Sequence, residues 1–98
     1  MTIDAQLLRL LTCLREHTDI EVSEIGAALL AAYHLKIAQD TRSLAAAFEI
    51  PHAIAIRECV VLGGEDLVTI LDKKERSGRL FFHPCERMKT ILNACEGI

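Results

Sequence analysis

The amino-acid sequence predicts a mainly α-helical domain carrying one small β-hairpin, on three observations. Apolar residues recur at helical spacing near both ends of the chain, Ile50-Pro51 breaks a helical run in its middle, and two clusters of strand formers enclose a polar, glycine-containing stretch. Ninety-eight residues are enough to bury one core and too few for two. Residues 1–98 are therefore read as a single domain.

Each element has a local reason. Over residues 4–17, Leu7, Leu8, Leu10, Leu11 and Leu14 fall at helical spacing, with Arg9, Arg15 and Glu16 left outside. A second helix, residues 21–39, has Glu21 and Glu24 at its positive end and Ile25, Leu29, Tyr33 and Ile37 four apart. Asp40 and Thr41 can each cap the next, residues 41–49, whose Leu44, Ala45 and Phe48 face inward. Pro51 forces Ile50 out of helical geometry and suits the first turn of a helix over residues 51–62. Gly63-Gly64 is expected to stop that helix, since positive φ costs glycine nothing. Residues 67–71 and 80–82 are rich in strand formers, and the polar residues 72–78 lie between them, so residues 67–83 read as a hairpin. Pro84 then begins a last helix, residues 84–96, whose Cys85, Met88, Leu92 and Cys95 form a narrow seam suited to another helix.

Composition bounds the function classes. Apolar residues make up 51% and charged residues 26%, which places the chain with folded globular proteins and away from disordered ones. No apolar run approaches the length that spans a bilayer and no signal-like cleavage pattern occurs, so a cytoplasmic location without membrane attachment is expected. Cys13, Cys59, Cys85 and Cys95 are scattered through apolar helical faces, which favours reduced, buried thiols over a disulfide scaffold. A net charge of −3 argues against a generic polycation, so any nucleic-acid binding must come from local clustering.

The segment of residues 40–83 resembles the winged helix-turn-helix superfamily, the fold of many small bacterial transcription regulators. The likeness rests on spacing: Leu44-Ala45 early in the first helix, Phe48 at its end, Ile50 at the buried turn position, then Ala55, Arg57 and Leu62 along the second, and Leu67-Val68 opening the wing. Glu49 departs from that pattern, which most often has glycine in the turn. The resemblance implies a DNA-binding regulator that docks residues 51–62 in the major groove and lays a basic wing along the backbone.

Candidate contacts follow. With Ala55, Cys59 and Leu62 toward the core, the outer side of that helix offers His52, Ala53, Ile56, Arg57 and Val60, with Glu58 opposing. Arg57 can grip guanine bidentately, and Ala53 or Ile56 can meet thymine methyls. Lys73, Lys74, Arg76 and Arg79 surround the wing, and Arg42 stands at the entry to the motif; all suit phosphate or the minor groove. The expected partners are duplex DNA and a second copy, with Leu7, Leu11, Met88, Ile91, Leu92 and Cys95 forming a homodimer interface. The scarcity of polar residues on the outer helix face keeps a protein-binding module as the alternative. No nucleophile elbow or phosphate loop occurs, so no enzymatic activity is expected. Neither His52 with Cys59 nor His83 with Cys85 has metal-ligand spacing, so no metal or other cofactor is expected.

Overall fold

Leucines three and four apart make the first helix. In the computed structural model, which describes residues 5–18, 20–71 and 79–96, α1 spans Ala5–Glu16 and buries Leu7, Leu10 and Leu14. Next comes α2 (Glu24–His34), which starts at Ser23, whose hydroxyl accepts the Gly26 amide at 2.9 Å. It ends earlier than residue 39. Lys36 takes a left-handed backbone (φ 61°), and the Ile37 amide folds back to the Ala32 carbonyl at 2.8 Å, closing the helix in a Schellman-like turn. That position favours glycine or asparagine, so a lysine there gave no signal in the sequence.

The following α3 (Thr41–Phe48) and α4 (His52–Gly64) are joined by residues 49–51. Glu49 adopts φ 56°, the conformation that glycine holds most easily, and the Ile50 amide returns to the Ala45 carbonyl at 3.0 Å. Pro51 sits outside α4 as its N-cap with φ −60°. Gly63-Gly64 does not stop α4; both lie inside it, and the left-handed residue is Asp66 (φ 60°). Gly63 serves close packing instead, since a Cβ there would meet Ile70 Cδ1 at 3.0 Å.

β1 (Val68–Ile70) and β2 (Phe82–Pro84) pair antiparallel, Val68 opposite Pro84 and Ile70 opposite Phe82. The ladder continues through the Leu71 amide to the Phe81 carbonyl and the Cys85 amide to the Leu67 carbonyl. Asp40 adds a single bridge to Phe81 beside it. Pro84 is thus a buried strand residue and not the start of a helix. α5 (Glu86–Glu96) begins after it, where the Met88 amide donates to Cys85 Sγ at 3.4 Å.

One core unites these elements. α1 packs on α2 and α5, while α4 packs on α2, α3 and β1. Leu29 and Leu30 of α2, Leu44 of α3, Cys59 of α4, Phe82 of β2 and Met88 of α5 are all buried, and the Tyr33 and Phe82 rings meet at 5.5 Å. Among the described residues, no helix is long and apolar enough to cross a membrane.

Two expectations are corrected here. The seam of Met88, Ile91, Leu92 and Cys95 does not await a second copy: these residues and Leu7 are buried within one chain, with Leu11 half-buried, because α1 fills the place of the partner helix. Nor are all four thiols reduced. Cys13 and Cys95 form a disulfide that staples α1 to α5, whereas Cys59 and Cys85 are free. Cysteines on two apolar faces that pack together come within bonding reach, which scatter along the sequence conceals.

The disulfide closes a loop of sequence separation 82, for which chain entropy gives a stabilisation of about 4–5 kcal/mol. Cys13→Ser should therefore lower the unfolding free energy by about that amount in urea titrations under oxidising conditions. The difference should vanish when both proteins are reduced, and equal oxidised midpoints would contradict the staple.

Candidate nucleic-acid interface

The face that α4 presents to solvent is set by what it buries. Ala55, Cys59 and Leu62, at i, i+4 and i+7, point into the core. The opposite stripe is Ala53, Arg57, Val60, Val61 and Gly64, all exposed, with Arg57 the single charge at its middle. Ala53, Arg57 and Val60 were anticipated from the sequence. Val61 and Gly64 join the stripe because α4 runs on to Gly64, past the stop that Gly63-Gly64 predicts.

His52 and Ile56, expected outside, are half-buried. The His52 ring leans back toward α3, where its Nε2 lies 2.9 Å from Thr41 Oγ1. Thr41 is fully buried, and its hydroxyl also accepts the Leu80 amide at 3.0 Å. The hydroxyl can serve the ring nitrogen as donor or as acceptor, according to the imidazole tautomer. His52 therefore joins α4 to the base of the hairpin and is not positioned as a base reader.

Asp40 caps α3. Its Oδ2 accepts the Arg42 and Ser43 amides at 3.0 Å each, and its Oδ1 accepts the Ser43 hydroxyl at 2.7 Å. The anion-attracting end of α3 is thus already occupied by a carboxylate. α4 differs. No side chain caps it, so its first amides keep donor capacity for an outside anion.

The basic candidates are distributed unequally. The Arg42 side chain is exposed at the first turn of α3. Arg79 is turned inward: its guanidinium stands 3.8 Å from Asp40 Oδ2 and 6.0 Å from the centre of the Phe81 ring. A buried carboxylate therefore competes with any outside phosphate for its charge. Lys73, Lys74 and Arg76 lie outside the described residues, in the segment that joins β1 to β2. That segment, residues 72–78, has three basic residues against Asp72 and Glu75.

His83 and Cys85 bracket the buried Pro84, and the His83 ring nitrogen Nδ1 lies 3.3 Å from the Pro84 carbonyl. Among the described residues no group of three His, Cys, Asp or Glu side chains converges as metal ligands would. No family model, curated protein or solved structure matches this chain.

Cys59 is a packing residue in chemistry as well as position. Burial pushes its thiol from an ordinary 9.0 up to about 11. The native state holds that proton more tightly than the unfolded chain, so the associated stability is complete below pH about 9 and is lost as pH rises through about 11. Between pH about 8 and about 11, wild-type protein should lose about 2 kcal/mol more unfolding free energy than Cys59→Ala. Equal losses in urea titrations would show that Cys59 does not titrate in this way.

Proposed function

We propose that this protein is a winged helix-turn-helix regulator that binds duplex DNA, with α4 as its recognition helix. The observation that carries the reading is Arg57, alone and exposed at the centre of an outward stripe on a helix locked from behind by α3. A guanidinium so placed matches the N7 and O6 acceptors of guanine, while Ala53 and Val60 on either side suit thymine methyl groups. The uncapped start of α4 supports a phosphate contact, and Arg42 supplies a second from the neighbouring helix. The Asp40 bridge to Phe81 adds a third short strand position to the hairpin, in the order helix, bridge, helix, helix, hairpin that a winged helix follows. Lys73, Lys74 and Arg76 then belong to a wing that meets the adjoining backbone.

A second reading draws on one specific observation. Val60 and Val61 are 52% and 50% exposed on the same stripe, and Leu71 at the end of the first wing strand is 44% exposed. Apolar surface of this kind on a recognition helix suits a protein partner. The two readings separate by charge. Reversing Lys73, Lys74 and Arg76 to Glu abolishes DNA retention under the first and leaves partner binding under the second.

Selection of bound fragments from random duplex DNA at physiological salt should enrich a defined site, and affinity should fall steeply as salt rises. Arg57→Ala should weaken binding to that site by about 1–3 kcal/mol and relax selectivity at one base pair. No enrichment by the wild-type protein would overturn the DNA reading and favour the protein-binding module.

A further inference from the structure

We infer that the outward face of α1 is the seat of a second copy of this chain, docked antiparallel across a two-fold axis near Thr12. This is a different surface from the buried seam of α5, and it stands independently of DNA binding.

Leu8 is the starting point. It is 57% exposed, more than any other large apolar side chain among the described residues. With Thr12 and Glu16 it forms one ridge at i, i+4 and i+8, and a groove runs along each side of that ridge. The larger, about 1030 Å³, is bounded by Ala5, Arg9, Cys13 and His17, with Cys95 of the disulfide at its floor; the smaller is bounded by Leu11, Arg15 and Glu24. A ridge of i±4 residues between two grooves is the relief that interdigitates in the commonest helix-to-helix packing. Because Thr12 is small, two such helices can approach closely where they cross. The disulfide fixes the floor of the groove and so limits the ordering cost of filling it.

Charge selects the occupant and its direction. Arg9 and Glu16 border the same groove two helical turns apart, at equal distances either side of the Thr12–Cys13 position. Neither has an ion-pair partner among the described residues. An antiparallel two-fold contact brings Arg9 of each copy to Glu16 of the other, satisfying both pairs with one operation. A parallel contact would set Arg9 against Arg9 and Glu16 against Glu16. The face is therefore complementary to itself in one orientation, and Leu8 of each copy enters the groove beside Cys13 and His17 of the other.

Sedimentation of the full oxidised chain at micromolar concentration and low salt tests this. The wild type should sediment as a dimer and Leu8→Asp as a folded monomer. Arg9→Glu and Glu16→Arg should each weaken self-association about tenfold or more, since each brings like charges together. Mixing those two variants should restore a dimer, because the new carboxylates of one then face the new guanidinium groups of the other. A monomeric wild type, a dimer indifferent to Leu8→Asp, or a mixture that fails to recover overturns the proposal. The readout is mass alone, so it fails or succeeds separately from the DNA reading.

Discussion

Two residues, Asp40 and Thr41, tie the architecture together. The Thr41 amide donates to the Leu80 carbonyl at 3.0 Å, and its hydroxyl accepts the Leu80 amide in return while meeting the His52 ring. Asp40 meanwhile caps α3, bridges to Phe81 and holds the Arg79 guanidinium. The start of α3, the first turn of α4 and the segment leading into β2 are thus joined through one buried pair. A backbone amide in a dry interior costs heavily if left without a partner, so this pair fixes the positions of three elements that α3 and α4 packing alone would leave free to slide.

From that junction the molecule divides into two regions of different chemistry. On one side, α1 and α5 are apolar where they meet and covalently stapled, which gives a brace whose geometry is insensitive to small changes at the surface. On the other, α4 is held along Ala55, Cys59 and Leu62 and leaves a solvent stripe that contributes little to the core. The result is a rigid back with an uncommitted front. It lets Arg57 be varied without loss of fold, whereas Cys59, two residues on, cannot become charged without cost.

Much of the fold was legible from residue pattern. The helical spacing of α1, the break at Ile50-Pro51, the hairpin and the inward set of Ala55, Cys59 and Leu62 all followed from periodicity and from the stereochemistry of proline. What escaped the sequence has physical causes. Lys36, Glu49 and Asp66 occupy left-handed positions that glycine usually marks, so the ends of α2 and α4 differ from those the sequence predicts, and Gly63 admits Ile70 where the sequence predicts a stop. The Cys13–Cys95 bond depends on contact between distant helices, and no local signal announces such contact. At the candidate interface, Arg42 and Arg57 lie at the surface as their positions suggested. His52 and Arg79 were drawn inward by Thr41 and Asp40, partners that only tertiary structure supplies.

Amide hydrogen exchange in Thr41→Val, a substitution of similar shape that removes the hydroxyl, tests most directly whether Thr41 joins the helices to the hairpin. Exchange at Leu80 should accelerate by about tenfold or more, with the amides of α1 and α5 unchanged. Leu80 exchanging at the wild-type rate would contradict it.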